Sequence, residues 1–187
     1  FCSGHGLGLK RNHEEAAYWY RRAAAQGDVD SAVNLGVMYV HGRGVERDPS
    51  AAVRLFLQAA VKGDPVAQYN VGVMYSNGDG VRLSSEREFR WTLRAARQGL
   101  AEAQFSVGEL YRTGRGVQED PVEACSWLHK AAEQGHRDAQ FNLAVMFLTG
   151  QGVVRDTHVA FGWFMVAAKQ GDAIAQRNVA IMYQEGV

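Results

Sequence analysis

Apolar residues along this chain recur on two scales. Locally they follow the helical period: Ala67, Val71, Gly72, Met74 and Tyr75 stand at i, i+4, i+5, i+7 and i+8, one face of a 3.6-residue helix. Over longer stretches the whole pattern returns every 36 residues. Gly6, Gly42, Gly78, Gly114, Gly150 and Gly186 form one column, and Gly8, Gly44, Gly80, Gly116 and Gly152 a second. Gly27, Gly63, Gly99, Gly135 and Gly171 form a third. Ala pairs recur from Ala23-Ala24 to Ala167-Ala168. Trp19, Trp91, Trp127 and Trp163 share a column with Leu55, and Tyr39, Tyr75, Tyr111, Phe147 and Tyr183 share another. A fixed period of this length marks stacked supersecondary units, which must be recognised before any local reading.

Each unit predicts two helices. The first runs roughly from Val66 to Tyr75 in the second unit, and Gly78 and Gly80 end it, because glycine takes the positive φ of a C-terminal cap at little cost. The second opens at Asp48-Pro49, Asp120-Pro121 or Asp156-Thr157: Asp caps the free N–H groups, and Pro at the first helical position forfeits no hydrogen bond. It closes at Gly63 and its equivalents, and Asp28, Asp64 and Asp172 follow as caps for the next helix. Asn12 with Glu15 has the form of a capping box. The stretch Ser84-Ser85-Glu86-Arg87-Glu88 departs from the pattern, leaving open a different start for its helix. Small residues at Gly36, Gly72, Gly108, Ala144 and Ala180 are expected to meet the Ala pairs and let helix axes approach, with the Tyr column filling the space beside them.

The run Ala67-Gln68-Tyr69-Asn70-Val71-Gly72-Val73-Met74-Tyr75, followed by Gly78-x-Gly80-Val81, resembles the Sel-1-like repeat. So does Asp120-Pro121 with Ala124, Trp127 and Lys130-Ala131-Ala132-Glu133-Gln134-Gly135. The resemblance covers essentially the whole chain. It implies an all-α fold related to the tetratricopeptide repeats: a right-handed α-solenoid of antiparallel helix pairs, in about five repeats. It also implies a single solenoid domain over 1–187, with a partial unit at 1–27, units at about 28–63, 64–99, 100–135 and 136–171, and a partial unit at 172–187. In such a solenoid the first helix of each pair lines a concave surface, and the family generally serves as adaptor or scaffold. Neither end carries the polar capping repeat that a solenoid terminus needs, so the chain is expected to be part of a longer one, or to have its ends covered by partners.

Composition narrows the function. Apolar residues make up 47% and charged residues 21%, as in ordinary globular proteins, so the 21 glycines reflect the repeat and not low complexity. Basic and acidic residues both number 20, giving zero net charge. Nothing then concentrates phosphates, and no nucleic-acid partner is expected. No apolar run approaches the ~20 residues of a membrane span, so no membrane insertion is expected. Cys2 and Cys125 are too few for a disulfide scaffold. Sparse cysteine suits cytoplasm or an organelle matrix and leaves a periplasm open. Cys125 shares an apolar column with Val53, Phe89 and Phe161, which predicts a buried structural thiol.

Chemical motifs are missing. The chain has no phosphate-binding Gly-x-x-x-x-Gly-Lys-Ser/Thr, no Gly-x-Gly-x-x-Gly, no His-Glu-x-x-His and no Ser-x-x-Lys or Lys-Thr-Gly. The six histidines read as solvated side chains and the Trp and Tyr columns as core. The expectation is a non-enzymatic protein–protein interaction module without cofactor or metal. A permanent structural subunit of a larger organellar or cell-envelope complex is the alternative.

If the first helices line a groove, the columns off their core face meet the protein or peptide partner. One column is Val33, Tyr69, Phe105, Phe141 and Arg177, and the next is Val37, Val73, Glu109, Val145 and Ile181. Both are mainly apolar, which for surface positions marks an interaction strip, unless a tight superhelix buries them against neighbouring repeats. Asn70 and Asn142 belong to a polar column beside them, read either as backbone-contacting or as structural. Glu102, Glu109 and Arg112 interrupt the strip within one helix and are expected to set specificity, flanked by Tyr69, Phe105 and Phe141 as anchors.

Overall fold

A computed structural model describes residues 12–186. Gly6, Gly8, Cys2, His5 and Val187 lie outside the described residues, as does the expected first helix of the opening partial unit. Within them the chain forms ten α-helices of 13 residues each. They are α1 His13–Ala25, α2 Val29–His41, α3 Pro49–Val61, α4 Pro65–Asn77 and α5 Ser85–Arg97, then α6 Ala101–Thr113, α7 Pro121–Glu133, α8 Arg137–Thr149, α9 Thr157–Lys169 and α10 Ala173–Glu185. The arrangement is an all-helical α-solenoid with the predicted period. Each helix packs on its sequence neighbours, most closely across the Gly-x-Gly loops: α2 on α3, α4 on α5, α6 on α7 and α8 on α9.

The caps follow the sequence signals. Asp64 accepts from the Ala67 N–H at 2.6 Å and Asp172 from Ala175 at 2.7 Å. Ser84 serves where the Asp-Pro is missing: its Oγ accepts from the Arg87 N–H at 3.4 Å, and α5 begins in register with α3 and α7. The departing stretch therefore changes the chemistry of the helix but not its start. Asn12 accepts from the N–H groups of Glu14 and Glu15, both at 3.1 Å. The Glu15 carboxylate takes the Trp19 indole N–H at 2.8 Å, so the expected box is half made.

The two loop glycines do different work. Gly78 (φ 73) ends α4 in the left-handed region and donates to the Met74 carbonyl at 3.0 Å. Gly80 (φ 68) lies against the first turn of α3, where a Cβ would stand 2.5 Å from the Pro49 carbonyl carbon and oxygen. The second glycine is thus an inter-repeat contact as well as a turn.

The small-residue column works differently from expectation. Gly36 faces the Phe56 ring, Gly72 faces Thr92 and Gly108 faces Leu128, while Ala144 shares a core cluster with Phe164. The filler opposite each small residue is therefore the column of Phe56, Thr92, Leu128 and Phe164 rather than the Tyr column. The Ala pairs sit where an odd helix meets the next even one. There Gln68, Gln104 and Gln140, all buried, donate to the carbonyls of Ala60, Ala96 and Ala132 at 3.2, 3.2 and 3.1 Å. Gln98, Gln134 and Gln170 donate to these same glutamines at 2.8, 2.7 and 2.8 Å, building a hydrogen-bond ladder along the solenoid. Ala131, fully buried among Leu128, Ala139 and Leu143, has no room for a larger side chain. Ala131→Leu is expected to cost ~1–3 kcal/mol by overpacking, read as a lower urea midpoint at unchanged m-value.

The aromatic columns are core in the middle of the solenoid, where Tyr75 and Trp127 are buried and Tyr39, Trp91, Tyr111, Phe147 and Trp163 pack against the core, and exposed on the terminal helices α1 and α10. Trp127 is 9% exposed, but Trp19 is 56% and Tyr183 66% exposed. The indoles lie flat beneath basic side chains one turn on, Arg94 at 4.5 Å from Trp91 and Lys130 at 4.1 Å from Trp127. Cys125 is buried as expected, and burial pushes its thiol above the ordinary cysteine value. The thiolate, the reactive form, is correspondingly scarce at neutral pH. Iodoacetamide is expected to spare the Cys125 peptide in the native protein and label it in urea, as read by mass spectrometry.

Candidate functional site

The even helices lie side by side and carry every residue of the expected groove. The hydroxyl oxygens of Ser106 on α6 and Tyr69 on α4 stand 3.5 Å apart, and Asn142 on α8 donates to Glu109 on α6 at 2.9 Å. The even helices repeat the same register although their caps differ: Asp28 and Asp64 cap α2 and α4, His136 caps α8, and α6 follows Leu100 without a side-chain cap.

The apolar strip is half-buried, between the two readings the sequence left open. Val33 and Val37 pack on the core around Phe56, Tyr69 on that around Val107, and Val145 on that around Phe164. Phe141 meets Phe164 edge-to-face with ring centres 5.6 Å apart. Phe105 stacks on His136 at 4.4 Å, and His136 also caps α8, its Nδ1 accepting from the Ala139 N–H at 3.2 Å. His136 is thus a cap and a stacking partner, not a solvated histidine. His129 is likewise half-buried, edge-on to Trp163 at 5.6 Å.

The polar interruption is organised. Arg112 grips Glu109 with two hydrogen bonds, Nε to Oε1 at 2.9 Å and the terminal nitrogen to Oε2 at 2.6 Å. Those bonds hold the guanidinium above its usual pKa. Asn142 supplies a third donor to the same carboxylate. Glu109, Arg112 and Asn142 therefore form one cluster across two helices. Glu102 stands apart and exposed at the start of α6, and Asn70 is half-buried on α4.

Between α4, α5 and α6 the face opens into a pocket of about 340 Å³. Tyr69, Val73, Phe105 and Glu109 of the expected set line it. Glu88, Thr92 and Arg115 line it too, and sequence reasoning did not single them out as site residues. Their signal lay in the columns. Glu88 stands where other repeats have Ala52, Ala124 and Ala160, and Thr92 where they have Phe56, Leu128 and Phe164. A smaller filler at Thr92 leaves the space that Phe or Leu occupies elsewhere. Glu88 is 7% exposed: Arg115 donates to its Oε1 and also to Ser76 Oγ at 2.9 Å, while Oε2 is buried without a hydrogen-bond partner.

Among the described residues no helix is long and apolar enough to cross a membrane. Among them, no group of three or more His, Cys, Asp or Glu side chains is placed to hold a metal ion.

These features belong to a recognised class. The Sel1 repeat model matches residues 1–28, 29–64, 65–100, 101–136, 137–172 and 173–187, and the chain belongs to the Sel1 repeat family. It is similar to the crystal structure of a protective antigen of uropathogenic Escherichia coli strains, with 38% identity and a TM-score of 0.94 over 97% of this chain and 39% of the other. It is also similar to a Sel1 repeat protein from Oxalobacter formigenes, with 34% identity and a TM-score of 0.87 over 93% of this chain and 50% of the other. An immunity protein from Pseudomonas aeruginosa, 22% identical with a TM-score of 0.57 over 90% of this chain and 62% of the other, shares the fold. The chain thus spans half or less of the first two relatives. No curated protein matches it. Sel1 repeats are in general non-catalytic modules for protein–protein interaction.

Proposed function

We propose that this chain is a non-enzymatic adaptor whose even helices bind a partner segment. The observation that carries the proposal is the apolar strip, which continues over four helices and is broken once, by the organised cluster of Glu109, Arg112 and Asn142. Tyr69, Phe105 and Phe141 are the anchors: rigid aromatic side chains, already held by their neighbours, lose little entropy when a partner covers them. Val33, Val37, Val73 and Val145 extend the apolar track, with Asn70 beside it. Glu102, Glu109 and Arg112 select a partner with apolar residues around a polar or basic centre. An amphipathic helix or an extended segment meets that description.

The test begins with gel filtration of gently lysed source cells and mass spectrometry of the fraction holding this chain. A purified companion is then titrated against the chain and against its Phe105→Ala/Phe141→Ala variant, with circular dichroism as the check on folding. At least a tenfold loss of affinity is expected, and unchanged affinity refutes the groove. Elution only in a large particle of fixed composition would instead favour a permanent structural subunit.

A further inference from the structure

The Trp column has one gap. Trp19, Trp91, Trp127 and Trp163 share it, and Leu55 takes the remaining place. Where the indole is present in mid-solenoid, it packs on the two helices before its own: Trp127 lies with Val107 and Tyr111 of α6, and Trp91 with Val71 and Tyr75 of α4. In front of Leu55 those two positions are held by Leu35 and Tyr39 of α2, and there the surface opens into a pocket of about 360 Å³ between α1, α2 and α3. Ala51 lines it as well, at the place where Glu15 and Glu123 accept the indole N–H groups of Trp19 and Trp127 at 2.8 and 3.1 Å. A ring and its acceptor are both missing from one repeat. The helices around them keep the common register, so the space stays open.

The rim of this pocket is basic. Arg21 and Arg54 line it, both exposed, and among the described residues no carboxylate does. Among those residues neither guanidinium is in an ion pair, and residues 1–11 hold no Asp or Glu. Arg21 donates to the Tyr39 hydroxyl at 3.1 Å. Glu46 and Asp48 line an adjoining hollow together with Arg47, and Asp48 is engaged in capping α3, where it accepts from the Ala51 N–H at 2.9 Å. We propose that the pocket receives an aromatic side chain of a partner protein, and that an acidic residue next to it in the partner rests on Arg21 and Arg54 at the rim. A pocket of this size is near the lower limit for ligand sites and suits one side chain. The ring takes the place that an indole fills from within at Trp127, on Leu35, Tyr39 and Leu55. Gln58 stands where Arg94 and Lys130 cover Trp91 and Trp127, so in this repeat the cation beside the ring comes from Arg21 and Arg54. The partner's carboxylate stays in the wet rim, where guanidinium donors make charge-assisted hydrogen bonds without burying a charge. The site shares no residue with the even-helix groove and is a second place of contact.

The experiment uses the blocked dipeptide acetyl-tryptophanyl-glutamyl amide as probe. Its leucyl-glutamyl analogue lacks the ring, and its tryptophanyl-glutaminyl analogue lacks the charge. Each is titrated into the whole chain and followed by the amide resonances of Leu55 and Gln58. The probe is expected to give saturable shifts, with binding at least tenfold weaker without the ring and at least threefold weaker without the charge. Leu55→Trp gives the repeat the residue of its column, fills the pocket from within, and is expected to abolish the response with the circular dichroism spectrum unchanged. Arg54→Gln, an exposed change that leaves the pocket open, is expected to keep the preference for the ring and to reduce the preference for the charged probe. Absence of saturable shifts, equal binding of the tryptophanyl and leucyl probes, equal binding of the charged and uncharged probes, or an undiminished response in folded Leu55→Trp each overturns the proposal. None of these outcomes bears on the groove, whose residues lie elsewhere.

Discussion

Replacing Gly80 with Ala is expected to destabilise the protein by roughly 2–5 kcal/mol, and replacing Gly78 with Ala by only ~1–2 kcal/mol. Both glycines hold nearly the same left-handed backbone, φ 68 and 73, so the strain of placing an L side chain there is common to the two. Their surroundings differ. A Cβ at Gly78 would meet Leu83 Cβ at 3.4 Å, an ordinary contact. A Cβ at Gly80 would meet the Pro49 carbonyl at 2.5 Å and the Ser50 nitrogen at 2.7 Å. These are backbone atoms in the first turn of α3, which cannot swing aside like a side chain. Relief requires moving one repeat against the next. The excess cost of ~1–3 kcal/mol is therefore a measure of the contact between repeats. Urea unfolding of the two variants checks it. Equal losses would mean that left-handed strain accounts for both glycines. Because stability in a solenoid is approximately a sum of units and interfaces, a weakened interface is also expected to broaden the transition of the Gly80 variant.

What was legible in the sequence was everything that one helix or one turn decides for itself. Asp64 caps α4 and Gly78 ends it by local geometry, so their meaning is visible at their positions. Contacts between units were less legible. The Gly80 column reads as a second cap until α3 is placed beside it. Gln68 and Gln98 are merely polar residues in a motif until the solenoid brings them within 2.8 Å. The small-residue column correctly announced a close approach, but at Gly36 it is filled by Phe56. An even helix meets two odd helices, and periodicity alone does not say which residue lies opposite. The groove was legible as a face, since register carries Tyr69, Phe105 and Phe141 onto adjacent helices. Their half-burial was not legible, because it depends on how tightly successive repeats are wound. The pocket was present as a break in two columns, at Glu88 and Thr92. Its chemistry emerged only when Arg115, beyond the end of the next even helix, proved to hold one oxygen of Glu88 and leave the other.

That break leads to the second large effect, in the opposite direction. The double change Glu88→Ala with Thr92→Leu gives α5 the residues that α7 carries at Ala124 and Leu128. It is expected to stabilise the protein by ~1.5–5 kcal/mol, about 1–3 from removing a buried oxygen without a partner and ~0.5–2 from filling the space. The backbone already accommodates the new side chain. Gly108 faces Leu128 just as Gly72 faces Thr92, and both pairs join an even helix to the odd helix after it. Arg115 loses its ion pair, but its side chain is 52% exposed and can turn to water, so that loss is small. A higher urea midpoint at unchanged m-value is the expected reading. A loss of stability would show that the pair of Glu88 and Arg115 supports the α5–α6 packing and that the pocket is a by-product of it. A gain means that the native chain keeps a less stable arrangement at one repeat while its neighbours keep the packed one. Local rules broken without structural benefit concentrate at functional sites. The stabilised variant is then the sharpest tool for the pocket: more stable than the native chain, with the groove's Tyr69, Phe105 and Phe141 untouched, and lacking only the buried carboxylate and the space beside Thr92.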